Sequence, residues 1–165
     1  MNINSFKPVI DKNSKVLILG SIPSIKSLEK TQYYGNTRNQ FWKIIYAMLD
    51  KKIDKDYNDR VTFLLKNHIA LWDVIKGCYR EGSLDSSIKN PEINDFETLF
   101  KRYPNIKFIF FNGTKSESLF MRKVDRALLE GKLLFKLPSS SPAWTIPLEE
   151  KLKHWMKIKE CLNPR

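Results

Sequence analysis

The chain has 165 residues, 42% of them hydrophobic and 28% charged, with a formal net charge of +11 and a pI near 9.6. That length supports one domain with a sizeable core, taken as residues 1–165, and the basic surface favours polyanions such as DNA or RNA over anionic membranes. Two isolated cysteines, Cys78 and Cys161, offer too few soft ligands for an iron–sulfur cluster or a structural zinc, and no stretch approaches the ~20 apolar residues of a membrane span.

Taken in chain order, MNINSFKPVIDKNSK has no uninterrupted apolar region of the secretory type, so a reducing, cytoplasmic setting with free thiols is expected. The run Lys15–Ser21, KVLILGS, predicts a buried parallel strand closed by Gly and Pro. Apolar residues Phe41, Ile44, Ile45 and Met48 recur at helical spacing over 39–49. A second helix is predicted over Tyr57–Lys66, and HIALWDV, His68–Val74, reads as a second strand. Residues 76–94 read as a long polar connection. A helix over Asp95–Arg102, a strand over Lys107–Phe111, a helix over Lys115–Lys123 and a strand over Leu133–Leu137 follow. Leu148, Leu152, Trp155 and Leu162 mark a final amphipathic helix, with Glu149 and Glu150 at its positive end. The alternation predicts an α/β fold, a three-layer α/β/α sandwich around a central, mainly parallel four-stranded sheet.

Three loops rich in Gly, Ser, Asn and Pro follow strands and should converge at the carboxyl end of the sheet. One is Gly20-Ser21-Ile22-Pro23-Ser24, followed closely by Tyr33–Trp42, YYGNTRNQFW. This segment combines aromatic rings for stacking, a cation and carboxamides able to orient water. The second is Asn112-Gly113-Thr114, suited to capping the next helix. The third is Leu137–Trp144, LPSSSPAW, where hydroxyls and backbone N–H groups can grip phosphate between two prolines, or serve as a solvated turn and cap. Trp144 reads as a core residue or as a wedge into a base stack. Asp73 can accept a hydrogen bond from a base edge or cap a turn. Arg80, Glu81, Ser83 and Asp85 equally suit a surface salt-bridge cluster. His68 and His154 read as structural.

In order and spacing, VLILGSIPS, YYGNTRNQFW, IALWDVIKGCYREGSLDSSIKN, IFFNG and LPSSSPA resemble the uracil-DNA glycosylase superfamily, and most of all its hypoxanthine-DNA glycosylase branch. The resemblance implies a monofunctional enzyme that flips a deaminated base out of DNA and hydrolyses its N-glycosidic bond. It implies no metal or other cofactor, no membrane partner, and double- or single-stranded DNA with a damaged base as substrate. A monomer is the default expectation.

Residue by residue, Gly20, Ser21, Ile22, Pro23 and Ser24 match the first superfamily motif. Ile22 stands where many relatives carry the Asp or Asn that handles water, and Ser139 stands where they carry His or Asn. Both departures resemble the hypoxanthine branch and argue against ordinary uracil excision. In that branch Asn39 matches the catalytic asparagine and Tyr34 the platform for the flipped base. Ser24 replaces a bulky tyrosine of uracil-specific relatives, leaving room for a purine, and Asp73 is the candidate reader of the base edge. Ser139, Ser140, Ser141 and Arg38 are the candidates for phosphate contact, and Trp144 for the wedge. Asn39 would act by positioning and electrostatics, because a carboxamide has no useful proton-acceptor pKa. Glycosylases with another main target (uracil, xanthine) and a non-catalytic DNA-binding relative are the competing readings.

Overall fold

The structure is a computed structural model that describes residues 1–163. The strands and helices run in the order β1 (Asn2–Asn4), β2 (Val16–Gly20), α1 (Ile25–Lys30), α2 (Phe41–Met48), α3 (Tyr57–Lys66), β3 (Ile69–Asp73), β4 (Ile75–Tyr79), β5 (Lys89–Ile93), α4 (Phe96–Arg102), β6 (Phe108–Asn112), α5 (Thr114–Lys123), β7 (Leu133–Leu137) and α6 (Leu148–Leu162). Short 3-10 turns occupy Asp85–Ser87 and Arg126–Leu129.

The main sheet has the order β3-β2-β6-β7, and every pairing in it is parallel. Strand β2 is central and buried along its whole length, as a strand covered on both faces must be. Its side chains alternate between two cores. Val16 and Ile18 pack with α2, α3 and α6 through Ile44, Leu64 and Trp155. Leu17 and Leu19 face the opposite layer, with Phe96 and Phe100 of α4 and Leu119 and Phe120 of α5. The three-layer expectation therefore matches the structure.

Chain order reverses around β2. After β2 the chain passes to β3 on one side, then returns to β6 on the other. This reversal opens a crevice at the carboxyl ends of the strands. Gly20, Asp73, Asn112 and Leu137 are the last residues of β2, β3, β6 and β7, so all four end at that crevice.

One expectation is corrected. Residues 76–94 do not form a plain connection: β4 and β5 lie there and join β1 in a separate antiparallel sheet of order β1-β4-β5. These strands are short, their register is interrupted by irregularities, and β5 (KNPEI) has no buried position. Such segments lack the apolar run or clean alternation by which strands are recognised. Helix α1, capped by Ser24, and β1 are likewise too short to carry a recognisable periodicity.

Because the sheet separates the two cores, substitutions on opposite faces should be independent. Ile44→Val and Ile109→Val should each cost roughly 1 kcal/mol in urea unfolding, and the double substitution should cost their sum within about 0.5 kcal/mol.

Candidate active site

The crevice holds a cleft of about 990 Å³. Gly20, Ser21, Ile22, Pro23, Ser24, Tyr34, Asn39, Asp73, Ser139, Ser140, Ser141 and Trp144 all line it. Arg38 does not; it is exposed, and its backbone N–H donates to Asn36 Oδ1 (3.0 Å). Fold topology thus brings together residues that are up to 120 or so positions apart in sequence.

Tyr34 is held in an unusual conformation. Its φ is 55°, in the left-handed region that bulky residues avoid. Two contacts hold its side chain and two more fix the neighbouring Gly35. One ring face stacks on Phe41, with centroids 3.9 Å apart and an interplanar angle of 17°. The hydroxyl accepts from Asn112 Nδ2 (3.2 Å). Next door, Gly35 N–H donates to the Ser27 hydroxyl of α1 (3.0 Å), and Lys30 Nζ donates to Gly35 O (2.8 Å). Burial and the nearby Asp73 charge push the phenol pKa above its ordinary value, so the ring stays neutral.

Asn39 sits at the entry to α2. Its Oδ1 accepts from the Phe41 N–H (2.9 Å), and its own N–H donates to Asn36 O (2.9 Å). This local turn is why the helix begins at Phe41, two residues later than its apolar pattern suggests. It leaves the Asn39 amide NH₂ and one carbonyl lone pair for the cleft.

Asp73 is 4% exposed, and its Oδ2 has no hydrogen-bond partner. Burial, then the charge of Asp85, lift its pKa to about 7, against the opposing pull of the Arg80 guanidinium. The carboxyl lies against Gly20: a Cβ there would fall 2.7 Å from Asp73 Oδ1 and 3.1 Å from the Tyr34 hydroxyl. Glycine is thus what lets the Asp73 carboxyl and the Tyr34 hydroxyl both lie against the end of β2.

Ser24 Oγ accepts from the Ser27 N–H (3.2 Å), so its first role is to cap α1 at the cleft wall. Ile22 is buried among the apolar residues beneath the loop. Arg80, Ser83 and Asp85 do not form the exposed ion-pair cluster that the sequence equally suits. Arg80 is fully buried and donates to Pro23 O (2.7 Å) and Gly82 O (2.6 Å), tying the first motif to the next loop. Ser21 Oγ donates to Asp85 Oδ1 (2.6 Å), which places a second carboxyl on the cleft wall. Ser83 Oγ accepts from the Ile25 N–H (3.0 Å). Glu81 pairs instead with the Met1 ammonium (2.7 Å).

The serine loop is anchored from below. Asn112 Oδ1 accepts from the Ser140 N–H (2.9 Å), and its Nδ2 also donates to Ser140 Oγ (2.9 Å). Gln40 N–H donates to Ser140 O (3.0 Å), and Trp155 Nε1 donates to Pro138 O (2.9 Å). Ser140 is 0% exposed, so its hydroxyl braces the loop and is not presented to solvent, unlike the expectation for phosphate contact. Ser139 and Ser141 remain partly exposed. Beneath them Lys151, 1% exposed, donates from Nζ to Ser141 O (3.3 Å). Burial lowers its ammonium pKa. Trp144 is 54% exposed at the cleft rim, not in the core, and His154 lines the same cleft.

Asn112, Lys151 and His154 were the residues sequence reasoning missed. The sequence suits Asn112 to a turn that caps the next helix or adds an anion-binding helix start, and His154 to a structural role, and neither pattern shows a place in the cleft. The missing signal for Lys151 is its burial, which its surface-like sequence context hides.

Among the described residues no group of three or more His, Cys, Asp or Glu side chains could hold a metal, and no helix is long and apolar enough to cross a membrane.

A sequence model described as "Uracil DNA glycosylase superfamily" matches residues 7–162. Two curated proteins named "Hypoxanthine DNA glycosylase" are similar to this chain. One, from Methanosarcina barkeri, is 44% identical over 117 residues, 70% of this chain and 74% of that protein. The other, from Methanosarcina acetivorans, is 46% identical over 112 residues, 67% of this chain and 71% of that protein. A solution NMR structure of a candidate uracil DNA glycosylase from Methanosarcina acetivorans superposes with a TM-score of 0.81 at 37% identity, covering 98% of this chain and 99% of that one. With the doubly wound sheet and its strand-end cleft, these matches establish that the chain belongs to the uracil DNA glycosylase superfamily.

Proposed function

We propose that the protein is a DNA glycosylase that hydrolyses the N-glycosidic bond of deoxyinosine, releasing hypoxanthine and leaving an abasic site. The observation that carries this reading is the meeting, in one cleft, of the Tyr34 ring, the Asn39 carboxamide and the unpartnered, buried Asp73 carboxyl. The family relatives named for hypoxanthine support the choice of base.

In this reading the flipped purine lies against the free side of Tyr34, whose other face rests on Phe41. With a pKa near 7, Asp73 can donate from its protonated oxygen to O6 of the base and accept from N1–H with the other. As the C1′–N9 bond breaks, its electron pair moves onto the base and is delocalised toward O6. A donor at O6 therefore strengthens in the transition state. Adenine lacks this carbonyl, so the same donor gives its departure less help. Asn39 orients the water that adds to C1′; the proton this water loses as the sugar hydroxyl forms is balanced, through solvent, by the one the departing hypoxanthine anion takes up on its ring nitrogen. Ser139 and Ser141 hold the phosphates, Trp144 fills the space left in the duplex, and Ile22 takes no chemical part.

Incubating a labelled duplex carrying one deoxyinosine, then treating with alkali, should give strand cleavage at that position. Asn39→Ala should slow single-turnover release by about 10²–10³-fold. No cleavage by the unaltered protein at enzyme excess would falsify the proposal. Salt-dependent binding without release of any lesion base would instead favour a binding-only protein.

The Asp73 assignment predicts a pH dependence. Its folded pKa of about 7 lies above the unfolded value of about 3.9, so the folded state holds the proton more tightly. The resulting stabilisation is complete below about pH 4 and is lost as pH rises through 7. Asp73→Asn should abolish this component in urea titrations at pH 5 and 8. Base release by the unaltered protein should fall above pH 7, and that limb should be missing from the Asp73→Asn profile.

A further inference from the structure

A second pocket of about 340 Å³ lies on the other side of the loop that carries Tyr34 and Asn39. It shares Tyr34, Asn36 and Asn39 with the main cleft, so the loop is the partition between the two. Its lining includes four cations, Lys30, Lys43, Lys55 and Arg60, and no carboxylate.

The cations differ in what they already hold. Lys30 Nζ donates to Gly35 O, and Arg60 Nε donates to Asp54 O (2.7 Å). Lys43 and Lys55 are exposed and enter no ion pair among the described residues. By contrast, most of the ion pairs the fold does form join neighbours on one helix or turn. Like charges gathered around one concavity repel one another, and an anion seated there reverses the sign of that interaction.

The pocket floor is stiff. Trp42 Nε1 donates to Tyr33 O (3.1 Å), and the Tyr57 hydroxyl accepts from the Tyr33 N–H (2.9 Å). The Arg60 guanidinium lies 5.8 Å from the centre of the Trp42 ring. The Trp42 N–H is therefore spent on the loop, and what the pocket offers an anion is the Tyr57 O–H donor and positive charge. It is at the small end of ligand sites, large enough for a phosphodiester and part of its sugar.

We infer that this pocket is a second DNA-phosphate site, which grips the strand where it leaves the cleft over Asn39 and presses the catalytic loop from behind. The inference rests on the glycosylase reading only for the identity of the polyanion as DNA.

The test uses fluorescence anisotropy on a duplex with one tetrahydrofuran abasic site, titrated with the whole protein between 50 and 200 mM KCl. Neutralising two phosphate contacts with the double substitution Lys43→Gln, Lys55→Gln should make the slope of log K against log[salt] shallower by about 1.8. The affinity gap to the unaltered protein should accordingly shrink roughly tenfold across that range. Lys107→Gln, Lys123→Gln, at the amino end of β6 and the last turn of α5, should leave the slope unchanged. Trimming the duplex arm on one side of the lesion, and only that side, should erase the difference between the pocket variant and the unaltered protein. An unchanged slope in the pocket variant, an equal change in the control variant, or an arm-independent difference would overturn the inference. These readouts need no base release, so failure of the deoxyinosine assay would leave them separately interpretable.

Discussion

The Asn112 carboxamide is the junction on which the site depends. Standing at the end of β6, it donates to the Tyr34 hydroxyl and to Ser140 Oγ and accepts from the Ser140 N–H. One side chain thus fixes Tyr34 on one loop and the serine loop on another. Both of its N–H donors and one carbonyl lone pair are engaged within the protein, which marks it as an organiser of the cleft. The left-handed Tyr34 backbone is tolerable because this bond and the Phe41 stack together over-determine its position.

The remaining chemistry comes from buried polar groups that the fold leaves incompletely satisfied. Asp73 has an oxygen without a partner, and Lys151 is a buried cation whose hydrogen bond is to a single carbonyl. In a scaffold built for stability alone such groups are costly. Asp73 lines the cleft, and Lys151 lies beneath the serine loop. The trade between stability and a site prepared for its ligand is thus localised at the carboxyl edge of the sheet.

Charge divides between a general and a specific contribution. The net charge of +11 draws the protein to polyanions over a Debye length or so. The cleft itself is lined mainly by hydroxyl, carboxamide, carboxyl and aromatic groups, which position and discriminate. Two lysines, Lys115 and Lys136, also line the cleft, and four cations gather around the second pocket behind the Tyr34–Asn39 loop.

Pattern alone determined the parallel strands and amphipathic helices: Tyr57–Lys66 and Leu133–Leu137 have the predicted bounds, because sheet strands carry short apolar runs and one-sided helices a 3.6-residue repeat. The ordered motifs also determined the superfamily and drew attention to Tyr34 and Asn39. Tertiary structure decided what local pattern does not encode. Strands β4 and β5 are too short, irregular and polar to announce themselves, and they exist through pairing. Ser140 and Ser141 are adjacent and chemically identical, yet one is buried and bonded to Asn112 while the other stays partly exposed. Arg80 and Asp85 look like surface charges until the fold buries one and brings the other to Ser21. Burial and partnership across 28 to 78 residues of chain depend on where β2, β3 and β6 end, so only the folded sheet could assign them.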